Sequence, residues 1–79
     1  MDDDVIKQAP GKHFLITGMT RFHFSQREAL YVKGVLPGKK IEVMQLSPQG
    51  DRLIVRVEGQ KFAVKREMWD LLDLEETAQ

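Results

Sequence analysis

Few side chains in this sequence could do chemistry. They are the histidines His13 and His23, the serines Ser25 and Ser47, and the acidic groups Asp2-Asp3-Asp4 and Asp51. Nucleophilic catalysis needs a hydroxyl or thiol, a base and an orienting acid held together. There is no cysteine; Ser25 reads as a helix cap and Ser47 as a turn residue. No nucleophile elbow, phosphate-cradling loop or HExxH helix occurs, so no catalytic residues are assigned. The two histidines lie ten residues apart, a separation that pairs them on neither a strand nor a helix. Each could ligate a metal ion, with Asp51 or the acidic run completing the site. The other reading makes them surface residues, or edge residues satisfied by neighbours. The three aspartates could hold a hard cation, or form a solvated flexible tail.

A second set is basic. Arg52, Arg56, Lys61, Lys65 and Arg66 fall on two neighbouring predicted strands and could form a stripe for an anionic partner. The alternative is a solvated face of an antiparallel pair, interleaved with Glu58 and Glu67. With 12 basic and 12 acidic residues the net charge is zero, which argues against a general nucleic-acid binder. The aromatics are few and most read inward, so no base-stacking platform is expected. Trp69, the single tryptophan, reads as a lid on the core rather than a binding hot spot.

The scaffold behind these residues is small. Seventy-nine residues make one domain that buries roughly 60% of its unfolded surface, enough for a small core and no deep cleft. A hydrophobic fraction of 42% with only three prolines favours folding over disorder. No apolar run approaches the ~20 residues that span a bilayer. The start, MDDDV, is acidic and unlike a signal peptide, so no membrane insertion and a cytoplasmic location are expected.

The chain is organised around Ser25 to Gly38. Ser25 with Glu28 reads as a capping box, and Gly34 as the left-handed residue that ends a short helix. Pro37-Gly38 fits the centre of a type II turn. Pro10-Gly11 repeats that turn, and the segments PGKHFLI and PGKKIEV echo one another as strand starts. The first strand is Phe14 to Met19, where Gly18 suggests a bulge or a close backbone approach. Phe22 and Phe24 read as core plugs under the helix, whose apolar face is Ala29, Leu30 and Val32. A meander follows: Ile41–Leu46, a turn at Ser47–Asp51, Leu53–Val57 with Leu53, Val55 and Val57 inward, a Gly59-Gln60 hairpin loop, and Phe62–Lys65. Arg66–Asp70 reads as one helical turn, Leu71–Leu74 as a closing strand and Glu75–Gln79 as a polar tail. Five short strands and one helix in so few residues indicate a small, strongly bent barrel, a mainly β fold.

Leu30, Tyr31, Val35, Leu36 and Met44 are more apolar residues near the helix than so small a barrel can easily hide. Two readings follow. They complete the core, or they line an apolar groove beside the helix for another protein or a second copy of the chain. On the second reading the partner-binding residues are Leu30, Tyr31, Leu36, Pro37 and Met44.

These residues also resemble a known family. A helix running into Gly34-Val35-Leu36-Pro37-Gly38, then a strand, then Ser47-Pro48-Gln49-Gly50-Asp51 and Phe62-Ala63-Val64-Lys65-Arg66, is similar to the FeoA family of small cytoplasmic accessory proteins of bacterial ferrous iron uptake. The similarity covers Val5 to Glu75. The sequence departs from the family pattern at Lys33, where leucine is usual, at Val35, where a larger residue is usual, and at Arg52, where proline is usual. The resemblance implies one SH3-like domain over residues 1–79, with flexible ends at about 1–4 and 76–79 and the helix inserted after the first strand. It implies a partner, the FeoB membrane permease with its cytoplasmic GTP-binding domain, and no enzymatic activity or cofactor. The same fold occurs as a C-terminal module of iron-dependent repressors. Three functions therefore stand as expectations: an interaction module of iron transport, a metal-sensing or metal-binding module using His13, His23 and Asp51, and a nucleic-acid-binding barrel using Arg52, Arg56, Lys61 and Lys65. An arginine such as Arg21 or Arg27, presented to the permease's GTPase, would be a further role under the first.

Overall fold

Two proline-glycine turns set the frame of the fold. In each, the residue after glycine closes the turn: the Lys12 N–H donates to the Ala9 carbonyl at 3.0 Å, and the Lys39 N–H to the Leu36 carbonyl at 3.1 Å. Gly11 and Gly38 have φ of 88° and 92°, the left-handed value that a type II turn requires at its third position. Each glycine N–H then donates across to the other unit, Gly11 to Val43 at 2.8 Å and Gly38 to Ile16 at 2.7 Å. The two echoing segments are thus antiparallel partners related by a local two-fold axis.

The computed structural model describes residues 8–77. The elements are β1 (His13–Gly18), α1 (Phe24–Tyr31), β2 (Lys40–Leu46), β3 (Arg52–Val57), β4 (Gln60–Lys65), α2 (Arg66–Trp69) and β5 (Asp73–Thr77). All pairings are antiparallel, in the order β4-β3-β2-β1-β5. The mainly β fold and the helix after the first strand are as expected. The sheet is strongly bent but not closed, so "barrel" describes it only approximately: β4 and β5 are its two edges. Register shifts at Ile16/Gly18 and Val43/Gln45 supply the bending, since an extra residue on one strand increases local twist.

The concave face is apolar. Ile16, Ile41, Val43, Leu53, Val55 and Val57 are almost wholly buried, and Trp69 lies edge-on to Phe14 with ring centroids 5.4 Å apart. Strand alternation explains the first set: inward residues recur every second position, leaving Arg56 outside. Gly18 sits in the β1 bulge, where a Cβ would lie 2.9 Å from the Asp73 carboxylate. The bulge reading holds, but what comes close is the Asp73 side chain and not another backbone.

Four local expectations are corrected. The helix begins at Phe24, with His23 as its N-cap, and the Gln26 side chain accepts the His23 N–H at 2.9 Å, so Ser25 and Glu28 do not form the capping box. Phe22 is a buried plug as read, but Phe24 is exposed, because the helix starting there turns it outward. The hairpin loop is Glu58-Gly59, with φ of 52° and 79°, the type I′ pattern, and Gln60 already pairs with Val57. The closing strand starts at Asp73, and Glu75 to Thr77, read as tail, pair with β1 because its outer edge is otherwise open. The Asp2-Asp3-Asp4 run lies outside the described residues.

Candidate interaction surface

Helix α1 runs to Tyr31, and the turn after it closes, as read, on the left-handed Gly34. The Val35 N–H reaches back to the Leu30 carbonyl at 3.1 Å and the Gly34 N–H to the Tyr31 carbonyl at 2.9 Å, the paired bonds of a Schellman motif. Leu30 and Val35, the apolar pair that accompanies this motif, are both buried. That anchor decides which way the helix faces. Leu30 is its only buried residue. Phe24, Tyr31 and Val32, the last directly after the helix, stay 67%, 40% and 83% exposed. At 3.6 residues per turn these three share one arc of about 100°, directed away from the sheet. The expected apolar face of Ala29, Leu30 and Val32 is therefore split: only Leu30 turns inward.

The five residues expected to bind a partner do not form one lining. Leu30 is buried, Tyr31 exposed, Leu36 half-buried before the turn, Pro37 exposed within it, and Met44 half-buried at the β2 bulge. A cleft of about 360 Å³ runs between α1 and β4, with Ala29, Leu30, Val64 and Met68 as apolar lining. Of the five, only Leu30 belongs to it. Phe24 and Val32 were not singled out as surface residues. A helix started one residue earlier, at Phe24, carries apolar side chains at i, i+7 and i+8, which is the signal that would have found them.

The metal candidates are dispersed. His13 lies on β1 opposite Glu42 and Thr77, its Nε2 3.7 Å from the Glu42 carboxylate. His23 is the exposed N-cap of α1, and Asp51 accepts the Ser47 hydroxyl at 2.8 Å in the β2–β3 turn. Among the described residues no three His, Asp or Glu side chains gather in metal-binding geometry. The basic residues do gather. Arg52 stands opposite Lys65, and Arg56 opposite Lys61, across the β3–β4 pair. Arg56 is compensated by Glu42 at 2.5 Å. Arg52, Lys65 and Arg66 border a shallow depression of about 500 Å³ that also includes Asp51 and Glu67. Arg21 is engaged by the Leu72 carbonyl at 3.1 Å and by Asp73 at 3.4 Å. No helix among the described residues is long and apolar enough to cross a membrane.

Several solved structures share this architecture. Iron(II) transport protein A from Clostridium thermocellum superposes with a TM-score of 0.81 at 24% identity, over 91% of this chain and 44% of that one. FeoA from Chlorobium tepidum gives 0.82 at 20% identity, over 94% of this chain and 70% of that one. A crystallised iron uptake regulatory protein, FeoA, gives 0.75 at 21% identity, over 91% and 92%. This chain thus spans less than half the length of the clostridial protein. No curated protein gives a match to the sequence. The FeoA domain model matches residues 7–75. A match of that extent, on a bent five-stranded sheet with its helix between β1 and β2, places the chain in the FeoA family, which is associated with ferrous iron transport.

Proposed function

We propose that the chain is a non-enzymatic accessory or regulatory protein of bacterial ferrous iron uptake, working by contact with an FeoB-type membrane permease. The observation that carries this reading is the outer face of α1. A short amphipathic helix normally hides its large apolar residues, yet Phe24, Tyr31 and Val32 all face outward on one stripe. Aromatic anchors of this kind dominate the energetics of protein interfaces. Arg27 lies on the same helix beside the stripe and Glu28 within it, so the contact would combine apolar anchors with an acidic group among them.

The test is retention of the detergent-solubilised permease by the immobilised chain, with and without guanine nucleotide, alongside iron uptake in cells. Tyr31→Asp combined with Val32→Asp places charge on two exposed positions and leaves the core untouched. Retention and uptake should both be lost while the circular dichroism spectrum is unchanged. Retention that survives the double substitution would remove the helix face from the proposal. Failure of the wild-type chain to retain the permease under any nucleotide condition would remove the partner.

A further inference from the structure

The open sheet leaves one side of β4 without a neighbouring strand. Which backbone groups point that way follows from the hairpin. A two-residue loop makes the flanking pair, Val57 and Gln60, a hydrogen-bonded one, so Gln60, Phe62 and Val64 bond β3 in alternation. The Arg66 N–H continues the alternation, donating to the Asp51 carbonyl at 2.9 Å. Lys61 and Ala63 therefore turn N–H and C=O toward the open edge, where no backbone group among the described residues meets them. Such an edge is a template for another strand. It borders the cleft described above, with Val64 and Met68 on one wall and Ala29, Leu30 and Lys33 of α1 on the other. A helix facing an unpaired strand across an apolar lining suits capture of an extended segment by strand addition.

We propose that the β4 edge takes an extended acidic segment of a partner protein as a sixth strand, with apolar side chains entering the α1–β4 cleft. Charge selects this occupant. Lys61 and Lys65 are exposed on one face of β4, while Phe62 and Val64 point to the other. A strand laid along the edge would place two residues beside the lysines and, alternating with them, two beside the cleft. The segment recognised is acidic, apolar, any residue, apolar, acidic. The same lysines favour an acidic strand over a second copy: two β4 edges paired about Ala63 would set Lys61 against Lys65 at both ends, adding to the Arg52–Lys65 and Arg56–Lys61 oppositions already present across β3–β4. The site goes beyond the helix-face reading, since the cleft and the Phe24–Tyr31–Val32 stripe lie on opposite sides of α1.

The probe is a labelled peptide, Asp-Val-Ser-Val-Asp between glycine-serine flanks, compared with its Lys-Val-Ser-Val-Lys twin. Each is titrated into the isotope-labelled full chain and followed by amide chemical shifts. The acidic peptide should perturb Lys61 to Lys65 together with Ala29 and Leu30, and bind at least about tenfold more tightly than the lysine twin. Lys61→Glu with Lys65→Glu should invert that preference; Lys61→Gln with Lys65→Gln should abolish it, and serves if the first pair fails to fold. Ala63→Pro deletes the outward N–H at a position where an edge strand tolerates proline, and should weaken binding about fivefold. Binding indifferent to peptide charge, binding unchanged by Ala63→Pro, shifts confined to other surfaces, or no binding would each overturn the proposal. A wild-type dimer joined through β4 would overturn the choice of occupant. The Tyr31→Asp, Val32→Asp chain should still bind the peptide, so the two surfaces can fail separately.

Discussion

Replacing Gly34 by alanine tests the joint on which the helix orientation depends. Gly34 has φ of 87°, and its N–H and that of Val35 tie off the carbonyls of Tyr31 and Leu30. An L-residue in the left-handed region costs about 1–2 kcal/mol. Steric clash adds little, because an alanine Cβ would sit 3.8 Å from the Glu58 Cγ and 3.9 Å from a Val57 methyl, both ordinary contacts. The stiffer unfolded chain gives back about 0.4–1 kcal/mol. The expected net loss is about 1 kcal/mol, which for a domain of this size lowers Tm by roughly 4–8 °C. Thermal and urea unfolding followed by circular dichroism would measure it. Gly34→Asn should cost less than half as much, because asparagine tolerates the left-handed region. Amide exchange at Val35 should quicken in the alanine variant, as its bond to Leu30 weakens. An alanine variant as stable as the parent, or an asparagine variant equally damaged, would show that backbone conformation at Gly34 does not hold the helix end.

Other positions separate the remaining forces. Glu58→Asn relieves a non-glycine residue at φ 52° and completes the Asn-Gly pair that type I′ turns favour. It sacrifices an exposed ion pair with Lys39, usually under about 1 kcal/mol, so Tm should rise by a few degrees in a thermal melt. Gly18→Ala brings a Cβ to 2.9 Å from the Asp73 carboxylate without backbone strain, so its cost should shrink in an Asp73→Ala background; a double-mutant cycle in urea measures that coupling. Leu53→Ala empties a wholly buried site and should cost about 2–5 kcal/mol, seen as a lowered urea midpoint.

Much of this protein is determined by residues acting on their own neighbours. Proline with glycine specifies a type II turn wherever it falls, so both sheet-framing turns and the strands after them were legible, as was the left-handed Gly34 that closes the turn after α1. Alternation specified the inward set Leu53, Val55 and Val57, because a strand has only two faces and one of them carries Arg56. The ordered motifs carried the family as well, and the family match now covers residues 7–75.

Only the assembled molecule decided matters that depend on competition between distant groups. Ser25 with Glu28 was a valid local cap, but the chain enters the helix at His23 and Gln26 caps it instead, which turned Phe24 from plug to surface. Glu75 to Thr77 look like tail by composition, and become strand because the far side of β1 is open to pair with them. Val32 differs little from Leu30 in hydrophobicity, yet the Leu30–Val35 anchor sends one inward and leaves the other in water. The candidate surfaces lie in this second group. Exposure of a helix face and an unpaired strand edge are properties of what the rest of the fold fails to cover, and no local propensity encodes them.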